Sequence, residues 1–185
     1  MAALLFSLLA VVIVGLGARD QMTLAAMTAR QGQRPALLIA AVLTGAASIA
    51  VAVWASLLIA QAIPAPARQL FAVMALGLAG LEMLVLRRAG QPLEPTNSLG
   101  AFVVVMLAQQ LTDATRFVVM ALAVATLAPI PTALGGAAAA MALAIAGWLA
   151  AEWLVAHDLT RVRRVTGAAI LAGAAALAAG VLSAI

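Results

Sequence analysis

The sequence predicts an all-α integral membrane protein of six transmembrane helices, arranged as two inverted three-helix repeats. Three observations carry that expectation. The 185 residues are 66% hydrophobic and only 9% charged, with a mean hydropathy of +1.18. A soluble domain is nearer half apolar and a quarter charged, so too little polar surface exists here to wet a globule. Six long apolar segments are separated by short polar, proline-bearing or arginine-rich breaks. Finally, the first segment of each half holds a charged cluster: Gly15-Leu16-Gly17-Ala18-Arg19-Asp20-Gln21 in one, Gln109-Gln110-Leu111-Thr112-Asp113-Ala114-Thr115-Arg116 in the other. An ionisable group at membrane depth costs a few kcal/mol, so it has a partner or a task.

A span needs about 20 mostly apolar residues, and lipid offers the backbone no hydrogen-bond partner, so each segment is expected to be a helix. The first covers about 3–29. Its start lacks a positive leader region, and Arg19 and Asp20 fall where a cleavage site would lie. It is therefore expected to be a retained helix and not a signal peptide. Arg30-Gln31-Gly32-Gln33-Arg34 forms a polar break that ends at Pro35, a helix-starting residue. The second helix runs over about 36–61, and Ile63-Pro64-Ala65-Pro66 turns the chain into the third, about 69–87. The longest polar stretch, from Arg87 to Ser98, separates the halves. The fourth helix covers about 99–127, Pro129-Ile130-Pro131 is a second tight turn, and the fifth covers about 133–155. His157-Asp158-Leu159-Thr160-Arg161-Val162-Arg163-Arg164 leads into the sixth, about 165–184.

Positive loops stay in the cytoplasm. The breaks after helices one, three and five carry Arg30, Arg34, Arg87, Arg88, Arg161, Arg163 and Arg164, and the opposite side carries only Arg68. Both termini are thus expected on the non-cytoplasmic side of a cell inner membrane. Each half pairs a cluster-bearing helix with a Gly/Ala-rich helix carrying Trp54 or Trp148 and with a third helix led by Arg68 or Arg163. Corresponding positions lie about 95 residues apart, and three spans per half invert the second copy. The expected units are residues 1–88, a cytoplasmic linker 89–98, and residues 99–185.

Composition also excludes functions. The chain has no Cys, no Tyr and a single His, His157. Disulfides, thiolate chemistry, imidazole metal clusters and Ser-His catalysis are not expected, and neither an enzymatic activity nor a cofactor is. The net charge of +4 is ten arginines against six acids, the arginines divided among the breaks and the two clusters, so no nucleic-acid partner is expected. The expected partners are the bilayer, a small ion and, in one arrangement, further copies of the chain.

At its clusters the chain resembles the small six-helix calcium/manganese:proton antiporters, whose halves each carry Glu-x-Gly-Asp-(Lys/Arg)-(Thr/Ser), commonly followed by Gln. Gly17, Arg19 and Gln21 match the first copy, with Gly15, Ala18 and Asp20 at the Glu, Asp and Thr/Ser positions. Asp113 and Thr115 match the second, with Gln110, Thr112 and Ala114 in place of Glu, Gly and the basic residue. The resemblance implies cation exchange against protons by alternating access, at a site of four carboxylates, two per half. Only Asp113 keeps an acid at one of those positions.

The residues themselves leave three readings open. Gln110 and Asp113, three apart on one helix face, offer an amide oxygen and a carboxylate and are the candidate metal ligands for manganese or calcium. Thr115 and Thr112 add hydroxyls, and Asp20 and Thr23 contribute from the first helix. Arg19 and Arg116 are permanent charges that set selectivity or pair with the acids. In the second reading Asp113–Arg116 or Asp20–Arg116 are structural ion pairs, and in the third the charged side chains snorkel to the lipid interface. Glu82 is either a proton carrier or an acid reaching to Arg87 and Arg88. Glu152, His157 and the three tryptophans are expected at the membrane interface. The expected function is a divergent cation exporter; the alternatives are a non-transporting membrane scaffold or partner subunit, and an exporter of an anionic or zwitterionic small molecule.

Overall fold

The computed structural model describes residues 1–86 and 98–183. Among them every regular element is an α-helix: α1 Ala2–Gly15, α2 Arg19–Gln31, α3 Pro35–Ala62, α4 Ala65–Val85, α5 Leu99–Leu111, α6 Ala114–Thr126, α7 Pro129–Leu149, α8 Ala151–Ala156 and α9 Thr160–Ser183. The expected linker, with Arg87 and Arg88, lies outside the described residues except for Ser98. Four helices, α3, α4, α7 and α9, are each long and apolar enough to cross a membrane. The pairs α1–α2 and α5–α6 qualify only when each is taken as one bent span. Four to six candidate spans point to a membrane protein.

Where the sequence suggests two continuous helices, over 3–29 and 99–127, the chain instead bends by 60° between α1 and α2 and by 51° between α5 and α6. Both bends fall on the polar clusters. At the first, Gly17 takes φ +70, a left-handed conformation open to glycine at little cost. At the second, Asp113 leaves the helical region and caps α6, its side chain accepting from the Thr115 amide. The fifth expected helix also divides, into α7 and α8 at Ala150. Pro35 and Pro129 start α3 and α7 at the first helical position. Ser98 caps α5 by accepting from the Ala101 amide at 3.3 Å. Helices α4 and α9 begin four and five residues earlier than the sequence suggests, so Arg68, Arg161 and Arg163 stand in helical first turns and Arg164 just beyond one, and not in loops.

Small residues bring the helices together. At the α4–α9 contact, a Cβ added to Gly80 would lie 2.8 Å from the Gly167 carbonyl, and one added to Gly167 would lie 2.9 Å from the Gly80 carbonyl. Backbones approach this closely in membranes through small-residue crossings. Helix α1 lies along α7 in the same way, with Gly135 against the Leu4 carbonyl and the Ser7 hydroxyl donating to the Thr132 carbonyl at 2.8 Å. One core cluster joins α1, α3, α6 and α7 through Val11, Ile49, Val53, Val119 and Ala139. A second joins α1, α4 and α6 through Val14, Ala79, Met83 and Val118. The outer faces carry Leu5, Phe6, Ile13, Leu43, Trp54, Met74, Val104, Leu134 and Leu177, all exposed. Asp113, Arg116, Gln110, Gln21, Ser48 and Thr132 are buried instead. Such an apolar exterior is far too extensive for water and suits hydrocarbon. Glu152 and Trp153 are exposed on α8, and Trp153 stacks on His157 with ring centroids 4.3 Å apart.

Candidate functional site: two helix breaks joined by charge

Each break exposes backbone groups that a continuous helix would satisfy. At the first, the Gln21 side chain folds back. Its amide oxygen accepts from the Gly17 N–H at 2.7 Å, and its amide nitrogen donates to the Leu143 carbonyl at 3.1 Å on α7. Glutamine at the third helical position reaching back to the amides before a helix is a capping-box device. At the second break, Asp113 Oδ2 accepts from the Thr115 amide at 3.1 Å and from the Thr115 hydroxyl. The acids Asp20 and Asp113 thus sit at the positive ends of α2 and α6, where helix dipoles favour negative charge.

The breaks meet. Arg116, only 4% exposed, lies 3.5 Å from both Asp20 Oδ2 and Asp113 Oδ2. The same terminal nitrogen, Nη1, donates to the Thr115 hydroxyl at 2.6 Å, while Nε and Nη2 reach the Ser48 hydroxyl on α3 at 3.0 and 2.7 Å. Gln110 donates to Asp20 Oδ2 at 3.3 Å. Residues from both halves of the chain therefore close around one guanidinium. Beside this group is a space of about 20 Å³, lined by Asp20, Gln110, Thr115, Arg116, Gly45 and Leu143 among others. That is room for one water or one monatomic ion. Gln110 Oε1 and Asp113 Oδ1 are buried with no hydrogen-bond partner among the described residues.

A second group adjoins the first. Arg163 donates to Glu82 Oε2 at 2.8 Å and to the Val14 carbonyl at 3.4 Å. Arg19 Nε stands 3.5 Å from Glu82 Oε1, and its terminal nitrogen donates to the Thr112 hydroxyl at 2.9 Å. Arg19 therefore bridges the two breaks, while Thr23 donates to the Gln109 amide oxygen at 3.0 Å. Three acids (Asp20, Glu82, Asp113) face three arginines (Arg19, Arg116, Arg163), and the whole set is formally neutral.

The structure thus brings Asp20, Gln110, Asp113, Thr115 and Arg116 together, and sets Arg19 and Glu82 in the adjoining group. Thr112 joins that adjoining group as the acceptor of Arg19, and Thr23 is engaged by Gln109. Glu82 does not stand free beside a loop: it is 6% exposed and gripped by Arg163 and Arg19. The glycine crossing of α4 and α9 accounts for this, because it draws the first turn of α9 against the last turn of α4. Arg87 and Arg88, its other suggested partners, lie outside the described residues. Sequence reasoning places Arg163 in a cytoplasmic loop and gives Ser48 and Gln21 no site role. Arg163 had a signal: it stands four residues before a glycine, at the head of a helix.

No protein-family model, curated protein or solved structure matches the chain. Among the described residues no group of three or more His, Cys, Asp or Glu is placed to hold a metal. A hard divalent cation prefers six or more oxygens, several of them carboxylate. Here the two nearby carboxylates share a guanidinium.

Proposed function

We propose that the chain is a multi-pass membrane carrier, built as two inverted three-helix repeats, that exchanges a small ion against protons by alternating access where the repeats meet. The observation that carries this reading is the meeting of the two half-helix starts, α2 and α6, with Asp20 of one 3.5 Å from Arg116 of the other. Discontinuous helices facing each other across a repeat interface are how many carriers assemble a midplane site. Element order supports the repeat: broken pair, long helix and long helix in α1–α4, then again in α5–α9 with α8 inserted. Packing supports it in part: exchanging the halves turns α1·α7 into α5·α3, α2·α7 into α6·α3 and α1·α6 into α5·α2, all of which pack together, whereas the extensive α4·α6 contact has no comparable α9·α2 counterpart.

In this reading Asp113, Gln110, Asp20 and Thr115 form the ion site, and Gln110 Oε1 and Asp113 Oδ1 are its open acceptors. Arg116 cancels one carboxylate's charge, which disfavours manganese or calcium relative to a monovalent ion or a proton. Protons and cation compete for the same carboxylates, which couples the two movements. A non-transporting scaffold is the second reading, favoured by one observation: each of the six charges already has an opposite charge within 3.5 Å.

Flux in proteoliposomes under an imposed pH gradient tests the carrier, screened over manganese, calcium, sodium and amino acids. The expected result is ion-dependent proton movement that Asp113→Asn abolishes while the protein still folds. Asparagine keeps the cap on α6 and loses only the charge. No flux for any solute would sink the carrier reading.

The arginine asymmetry gives the orientation: α1 to α4 and α5 to α9 as six spans, with both termini outside the cytoplasm. Reporter fusions after Ile185 and within 89–98 are expected to be active on opposite sides, the second in the cytoplasm. A cytoplasmic C-terminal reporter would overturn that orientation, and reporters on the same side would overturn an odd number of spans per half.

A further inference from the structure

We propose that the pocket between the first helix break, the end of α4 and the start of α9 binds a phosphate-type oxyanion, a function separate from ion exchange at the centre. The pocket has a volume of about 230 Å³ and is lined by Arg19, Arg163, Arg164, Thr160 and Gly17, with Met22 and Met83 among its apolar walls. That volume accommodates a phosphate with part of its water, whereas the central space holds a single water.

Charge selects the ligand. Three guanidiniums line the pocket, and the carboxylate that answers two of them, Glu82, is buried beneath. A second acid stands at the pocket's edge, Asp158, which accepts from the Thr160 amide at 2.9 Å, so three positive charges against two negative leave a surplus of one, partly shielded from water. Arg164 is exposed at the rim, as the fifth residue of the 24-residue helix α9. Arg19 Nε is buried and, although 3.5 Å from Glu82 Oε1, makes no hydrogen bond to any described residue. Planar guanidiniums bind phosphate oxygens in bidentate fashion and outdo a point charge in that task. Gly17 shapes the wall. Its φ is +70, and a Cβ there would lie 3.0 Å from Leu159 and 3.7 Å from the Arg163 side chain. Basic pockets between membrane helices also receive anionic lipid headgroups, so free phosphate and a phospholipid headgroup offer the same chemistry here.

The test is binding to the full chain in nanodiscs, read as thermal stability, and it requires no flux. In phosphatidylcholine nanodiscs, inorganic phosphate is titrated against chloride at matched ionic strength. In a second arm the nanodiscs contain phosphatidic acid and no phosphate is added. Saturable stabilisation by phosphate identifies the free anion as ligand, and stabilisation by phosphatidic acid alone identifies the headgroup; either upholds the site, provided the variants respond. Arg164→Gln, on an exposed residue that the fold does not need, is expected to weaken the response about tenfold. Glu82→Gln is expected to strengthen it, since it removes the competing carboxylate. Equal effects of chloride and phosphate, no response in either arm, or an unchanged response in Arg164→Gln would each overturn the proposal. Because the readout is binding, a chain that carries no ion can still pass, and a carrier can still fail.

Discussion

Replacing Arg116 with Leu is expected to cost about 3–5 kcal/mol of stability, and adding Asp20→Asn and Asp113→Asn is expected to recover much of that loss. Arg116 is buried and holds four partners at once: Ser48, Thr115, Asp20 and Asp113. Without it, two carboxylates at the helix starts face each other in a medium of low dielectric with no countercharge, and the Ser48 hydroxyl loses its donor. An unpaired buried charge is far more costly than a buried pair is stabilising, so the damage exceeds whatever the pair contributes. Neutralising both acids removes the repulsion while leaving amides that still cap and still accept hydrogen bonds. Thermal unfolding in detergent measures the loss and the rescue, and flux measured alongside separates the two functional readings. A carrier's triple variant folds and moves nothing. A scaffold's triple variant folds and retains its partner. Full stability in Arg116→Leu alone would show that the guanidinium is not the keystone of the two breaks.

That expectation rests on pairs the sequence only half discloses. Composition and the length of the apolar segments are enough for an all-helical membrane chain, because a run of about 20 apolar residues is the length of a spanning helix, twice that of a barrel strand, and a helix satisfies its own backbone in lipid. The two clusters announce their importance through charge at membrane depth, and Asp20, Gln110, Asp113, Thr115 and Arg116 do converge. The breaks themselves are harder to read. Gly15-Leu16-Gly17 marks a weak point, but Thr112-Asp113 contains no glycine or proline, and its cap geometry depends on Asp113 turning back on Thr115. Arg163 is the clearest omission. A loop assignment follows from the run of arginines, yet the residue is drawn inward by a crossing that only the facing of Gly80 and Gly167 produces. Such a contact depends on which helix lies against which, and local pattern carries no record of that. The same crossing brings Glu82 and Arg163 within 2.8 Å, so one helix contact decides both the neutrality of the charged set and the wall of the basic pocket.

Gly135→Val is expected to be the most damaging single substitution away from the charges, with a loss of about 3 kcal/mol or more. At Gly135 the obstacle to a Cβ is the Leu4 carbonyl oxygen, with the Leu8 amide nitrogen 3.1 Å away. Backbone atoms inside a helix cannot swing aside as the end of a side chain can, so α1 has to move away from α7 as a body. That motion would separate the Ser7 hydroxyl from the Thr132 carbonyl, a buried bond of 2.8 Å. It would also loosen the cluster of Val11, Ile49 and Val119 that lies just beneath the first break. Because α1 leads directly into Gly15 and the turn before Arg19, displacement of the helix shifts Asp20 away from Arg116. Flux or partner binding should therefore fall together with stability. Gly77→Ala is the matched control, since a Cβ at Gly77 meets nothing within 4 Å. Alanine there is expected to be neutral or to stabilise by about 0.5–1 kcal/mol, as it restricts the unfolded chain and suits a helix interior. Thermal unfolding of the two variants side by side decides the matter. Equal tolerance of Gly135→Val and Gly77→Ala would mean that the close approach of α1 and α7 does not hold the two breaks in place.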